Sequence, residues 1–139
     1  MKLNRHQARE LAVQGIYQWQ MTGASTDDIV AHFREEEKIL ASLDAKYFEA
    51  CLAGVIQSIE DIDKCLAEHV DRKLSELNPV ELAVLRLGTY ELMFCLEVPY
   101  KVIINEALEL AKTFGSTEGH KYVDGVLDNL ARDVRRQEM

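Results

Sequence analysis

Hydrophobic residues are spread most evenly along Asn78-Pro79-Val80-Glu81-Leu82-Ala83-Val84-Leu85-Arg86-Leu87-Gly88-Thr89-Tyr90-Glu91-Leu92-Met93-Phe94-Cys95-Leu96. Asn78 suits a helix N-cap, Pro79 the first helical position, and Glu81 the carboxylate of a capping box. The charges of this stretch are Glu81, Arg86 and Glu91. At about 100° per residue they point in three directions, so the helix has no continuous polar face. A helix apolar on all sides, with roughly 18 residues and three charges, belongs in a protein core rather than a bilayer. Its neighbours must surround it, and Arg86 and Glu91 need partners or a route to solvent.

The flanking segments supply those neighbours. Ala8, Leu11, Ala12, Gly15, Ile16 and Trp19 recur at helical spacing and predict a helix from Asn4 to Met21. Ser25 or Thr26 starts a second, with Ile29, Val30 and Phe33 inward. Asp44 is expected to cap a long helix reaching His69, through Tyr47, Phe48, Cys51, Leu52, Val55, Ile56, Ile59, Ile62 and Leu66. Gly54 inside it implies a close approach by another helix. A short helical segment over Asp71–Leu77 leads into the central helix. Pro99 opens the next helix, Gly115 ends it, and Ser116 or Thr117 restarts the chain towards Val123, Val126, Leu127 and Leu130. Arg132, Arg135 and Arg136 fall near the negative end of that last helix. No segment alternates with period two. The expectation is an all-α protein of about seven helices.

The composition fits one folded core: 139 residues, 47% hydrophobic and 29% charged. The opening residues lack the apolar run of a signal peptide, and no uncharged span is long enough to cross a bilayer, so a cytoplasmic location is expected. Cys51, Cys65 and Cys95 form no C-x-x-C pair and are read as buried thiols. A formal charge of −8 argues against a general nucleic-acid binder, yet it is unevenly spread. Residues 1–20 carry three basic side chains against one acidic, and residues 27–71 carry four against twelve. On the first helix Lys2, Arg5, Arg9, Val13, Tyr17 and Gln20 share one sector. A cation row ending in a tyrosine can dock single-stranded RNA, phosphates on the cations and a base on the ring, although a solvated face has the same pattern. No metal-ligand spacing joins His6, His32, His69 and His120. No nucleophile, phosphate-loop or dinucleotide motif is present, and Glu106 and Glu109 lack a second pair. Neither catalysis nor a metal or cofactor is expected.

The segment Ala8-Arg9-Glu10-Leu11-Ala12-Val13-Gln14-Gly15-Ile16-Tyr17-Gln18-Trp19-Gln20 resembles the opening helix of the bacterial NusB transcription antitermination family. The likeness continues through Tyr47-Phe48, Leu52-Ala53-Gly54-Val55, Val84-Leu85-Arg86, Tyr90-Glu91-Leu92 and Val98-Pro99-Tyr100-Lys101-Val102. It is densest in Ile104-Asn105-Glu106-Ala107-Leu108-Glu109-Leu110-Ala111-Lys112-Thr113-Phe114-Gly115, followed by His120-Lys121-Tyr122-Val123 and Gly125-Val126-Leu127-Asp128.

The resemblance implies two packed helical-bundle subdomains, about residues 1–77 and 78–139. It implies boxA-type RNA binding together with the ribosomal protein NusE, in the antitermination complex of RNA polymerase on ribosomal RNA operons. By position, Arg5, Arg9 and Tyr17 match the RNA-facing first helix, and Lys2 joins them where the helix or its extension reaches back that far. Glu118, Lys121 and Tyr122 match the RNA-proximal start of the last helix, and Glu81 a partner-facing acid. Arg5, Arg9 and Lys121 would then meet phosphates. Where family members often carry consecutive arginines, this chain reads Arg5-His6-Gln7, which implies greater dependence on NusE. Some NusB proteins form homodimers. Two alternatives compete: the RNA-binding N-terminal domain of a ribosomal RNA cytosine methyltransferase, and a protein-interaction bundle without RNA.

Overall fold

A computed structural model describes residues 5–36, 45–116 and 118–139. They form seven α-helices: α1 Arg5–Thr22, α2 Thr26–Glu36, α3 Ala45–Gln57, α4 Ile59–Ala67, α5 Pro79–Phe94, α6 Tyr100–Phe114 and α7 Gly119–Val134. No strand occurs among the described residues. The protein is all-α, as its patterning predicts.

Helix α5 is the axis of the structure. It packs against α1, α3, α4, α6 and α7, and Leu82, Ala83, Val84, Leu85, Leu87 and Leu92 are buried on its several sides. Asn78 caps it as expected, its Oδ1 accepting from the Val80 and Glu81 amides at 2.8 and 3.2 Å. Glu81 does not close a capping box; its carboxylate turns to Ser116 instead. The helix stops at Phe94, and Leu96 beyond it is 67% exposed.

Arg135, buried at the end of α7, supplies the other cap. Its guanidinium donates to the carbonyls of Glu91, Leu92, Cys95 and Val98 at 2.7 to 3.1 Å. The expected cation at its own helix terminus is therefore a cap on a neighbour's unpaired carbonyls. Glu138 joins it, pairing with Arg135 and accepting from the Tyr100 amide at the start of α6.

The shorter connections follow local chemistry. Gly23 ends α1 at φ +72, where a side chain would be strained, and its amide donates to Trp19 at 2.8 Å. Ser25 Oγ accepts from the Asp28 amide at 3.1 Å and opens α2. The expected Asp44 cap lies outside the described residues. Gly115 ends α6 in an extended conformation, and Glu118, rather than Ser116, stands at the N-cap of α7. Thr117, the other expected cap, is also outside the described residues. Only a single 3-10 turn, Leu74–Glu76, forms in the segment expected to be helical before α5.

The predicted long helix is two helices. Ser58 leaves helical geometry at φ −105, ψ 20, separating α3 from α4. The apolar period reads through this point, which concealed the break. Gly54 does mark a close approach: a Cβ there would lie 2.4 Å from ring atoms of Tyr90 on α5. Gly54→Ala should therefore destabilise the fold by about 1–3 kcal/mol, the cost of overpacking. Trimming the obstacle in Gly54→Ala/Tyr90→Leu should make the two losses non-additive in urea melts. Leu85→Ala, emptying a fully buried position, should cost about 2–5 kcal/mol in the same assay.

Candidate nucleic-acid interface

The polar strip expected on α1 is only partly a surface. Helices α2, α3, α5 and α6 all pack against α1, so its buried sector is wider than one apolar stripe. Val13 lies in the core, and Arg9 is only 2% exposed. Arg9 Nε donates to both carboxylate oxygens of Glu91, at 2.9 and 3.1 Å, and Nη2 donates to Oε2 at 2.9 Å. The Tyr47 hydroxyl also donates to Glu91, in a short hydrogen bond. Burial opposes the Arg9 charge, but Glu91 more than offsets it and holds the guanidinium above its ordinary value. Burial, more than any neighbouring charge, pushes the Tyr47 phenol up, so it stays a donor. Arg9 is thus a structural cation joining α1 to α5, and a phosphate cannot reach it without opening the core.

Arg5 keeps its place on the surface, with Cζ 4.2 Å from the Tyr47 ring centroid. His6 Nδ1 lies 2.6 Å from Glu106 Oε2 on α6, and Arg9 Nη1 lies 3.8 Å from Glu106 Oε1. Glu106 is therefore part of the anchor of α1 rather than a solvated acid. Lys2 lies outside the described residues.

Three turns along α1, Tyr17 is 38% exposed beside a groove of about 490 Å³. Val13, Met21, Phe33, Val80 and Phe114 line its walls with Tyr17. Gln20 Nε2 donates to the Pro79 carbonyl at 2.9 Å and ties this end of α1 to the start of α5. One residue after Val80, Glu81 Oε2 accepts from Ser116 Oγ at 3.3 Å. Gly119 approaches so closely that a Cβ there would sit 2.5 Å from the same oxygen. Glu118 and Lys121 form an exposed pair at 2.9 Å, and the Tyr122 hydroxyl donates to Asp71 at 3.0 Å. Tyr17 thus borders the start of α5, and Glu81 meets the start of α7, on which Lys121 and Tyr122 stand. Arg5 stands apart, twelve residues or roughly 18 Å along the helix from Tyr17.

Among the described residues no group of three or more His, Cys, Asp or Glu side chains could hold a metal ion. No helix among them is long and apolar enough to cross a membrane. Cys51 and Cys95 are buried thiols, while Cys65 is half-buried.

The model of the NusB family matches residues 6–132. The chain belongs to the NusB family. The transcription antitermination protein NusB of Chromohalobacter salexigens is 47% identical, over 98% of this chain and 89% of that protein. That of Coxiella burnetii is 48% identical, over 95% of each. Among solved structures, T. maritima NusB superposes with a TM-score of 0.83 at 28% identity, covering 96% of this chain and 94% of that one. The crystal structure of antitermination factors NusB and NusE in complex with dsRNA gives the same score and identity, over 93% and 96%.

For this NusB-family chain, the sequence pattern did not mark Tyr47, Asp71 or Arg135 as organising residues. Glu91 gave a usable signal, because an acid on an all-apolar helix requires a cation. Arg9 borders the apolar stripe of α1 and was available for that role.

Two outcomes follow from the anchor of α1. Arg9→Ala strands a buried carboxylate and should cost about 3–5 kcal/mol in chemical unfolding. The second concerns His6, whose imidazole is held above its ordinary value chiefly by the Glu106 hydrogen bond, with Glu10 adding and Arg9 opposing. A raised folded-state value stabilises fully below the unfolded value near 6.5, and the gain disappears as pH rises through the folded value. Wild type should exceed Glu106→Gln in stability more at about pH 6 than at about pH 8.5. Parallel pH profiles would remove His6 from the anchor.

Proposed function

We propose that this chain is a transcription antitermination factor that binds boxA-type single-stranded RNA together with NusE, within the RNA polymerase complex that reads through ribosomal RNA operons. The reading is supported by membership of the NusB family, with the Tyr17 groove bordering the start of α5 and Glu81 meeting the turn before α7. A solved relative is a complex of NusB and NusE with dsRNA, which supports a partnership of this chain with NusE and RNA. The role requires surfaces rather than catalysis, and it places the protein in the cytoplasm. The methyltransferase reading is disfavoured because relatives 47–49% identical to this chain are NusB antitermination proteins.

In this reading Arg5 and Lys121 meet phosphates, Tyr17 and Tyr122 stack on bases or sugars, Glu118 borders the RNA, and Glu81 faces NusE. Lys2 would add a third cation. With Arg9 neutralised by Glu91, few mobile cations remain, so RNA affinity rests on the complex with NusE. A homodimer of the free chain covering this surface would compete with RNA.

The test is an RNA titration at several salt concentrations, with and without NusE. Two phosphate contacts give a log–log slope of roughly −1.4 before NusE adds its own. Arg5→Ala should flatten that slope by about 0.7, whereas Tyr17→Ala should cost about 1–3 kcal/mol with the slope unchanged. Glu81→Lys should weaken NusE binding more than Glu81→Gln does. RNA binding indifferent to both Arg5 and Tyr17 would leave the α1 surface without this role.

A further inference from the structure

The loop between α4 and α5 contributes a side chain that shares Tyr122. We infer that Arg72 and Tyr122 clamp one unpaired RNA base between guanidinium and ring, with Asp71 holding the two halves together at rest. This rests on the proposal that single-stranded RNA passes the start of α7.

The rest state is well defined. Arg72 Cζ lies 5.0 Å from the Tyr122 ring centroid. Asp71 Oδ1 accepts from Arg72 Nε at 2.8 Å and from the Tyr122 hydroxyl at 3.0 Å, while Oδ2 accepts from Arg72 Nη2 at 3.2 Å. One carboxylate therefore orders the fork of a flexible exposed arginine and orients the ring. Tyr122 is half-buried and packs against the core, so Arg72 covers part of the ring that solvent could otherwise reach. A groove of about 280 Å³ opens beside it, lined by His69, Asp71, Lys121, Tyr122, Gly125 and Asn129.

The spacing suits a device that opens by a small motion. A base with van der Waals contacts on both faces needs roughly 7 Å between ring and guanidinium. Arg72 must withdraw by roughly 2 Å from its present 5.0 Å, a rotation open to an exposed side chain. Both jaws are planar and delocalised, as base stacking requires, and arginine stacks where lysine does not. Lys121, beside Tyr122 and 70% exposed, is placed for the phosphate of the clamped nucleotide. Arg72 and Tyr122 hold the Asp71 carboxyl down at about 2, so it stays ionised and keeps Arg72 neutralised near neutral pH. The clamp should therefore contribute stacking and little counterion release.

The experiment uses the full chain with NusE and a single-stranded boxA-type RNA carrying 2-aminopurine at successive positions. Arg72→Ala should weaken binding at least about fivefold with the salt slope unchanged. Arg72→Lys, which keeps the charge, should not restore it. Both variants, and Tyr122→Ala, should lose stacking quench at the same 2-aminopurine position. Restoration of affinity by Arg72→Lys would make Arg72 a charge contact and overturn the clamp, as would wild-type affinity in Arg72→Ala. In those cases wild type still binds RNA and the proposed function stands. Failure of wild type itself to bind RNA with NusE would overturn both.

Discussion

Helix α5 packs against five others and carries three charged groups, of which Glu91 is buried and Glu81 and Arg86 are half-buried. Each meets a different set of neighbours. Glu91 binds Arg9 of α1 and Tyr47 of α3; Arg86 binds Asp63 of α4 at 2.8 and 3.0 Å and Gln20 of α1 at 3.1 Å; Glu81 meets Ser116 in the α6–α7 turn. An ion pair as buried as Arg9–Glu91 adds little net stability over a well-packed apolar pair, but it is costly to break. Its effect is therefore directional. A rotation or slip of α1 on α5 that preserved hydrophobic contact would separate the pair, so the register of the two helices is tied to one arrangement.

The ends of α5 are held in the same manner. Asn78 satisfies amides at its start, and Arg135 satisfies carbonyls at its end from a helix forty residues further on. The N-terminal cap is local, whereas the C-terminal cap exists only once α7 has docked. Gln20, donating to the Pro79 carbonyl, adds the end of α1 to the first of these junctions. The candidate interface grows from that junction. Tyr17, Glu81 and the pair Gly119 and Tyr122 belong to three helices, and their relative positions follow from how α1 and α7 are fastened to α5.

Much of the fold was legible because α5 is apolar in all directions and its N-terminal cap is local chemistry. Pro99 and Gly54 were legible for similar reasons: one fixes a backbone angle, and the other has no side chain where Tyr90 needs room. Ser58 was not, since apolar spacing persists across the break between α3 and α4 and only the backbone records it. The candidate site was less legible than the fold. A helical wheel gives the direction of Arg9 but not how far α3, α5 and α6 wrap around α1, which decides whether that direction faces water. Arg135 shows the same limit. Its position near a negative helix end was readable, but the four carbonyls it serves are contributed by another part of the chain.

The pattern of neutralised charge bears on how such a surface can recognise RNA at all. The chain has a formal charge of −8, and several of its basic groups already have acidic partners: Arg9 with Glu91, Arg72 with Asp71, Lys121 with Glu118 and Arg86 with Asp63. Long-range attraction for a polyanion is therefore weak, and non-specific binding, which depends on it, is weak too. Beside these pairs stand two tyrosines that can stack, Tyr17 next to its groove and Tyr122 next to Asp71. Stacking requires unpaired bases at the right separation, and it discriminates by shape rather than by charge. A protein built this way tolerates an acidic overall charge because a second protein can supply cations.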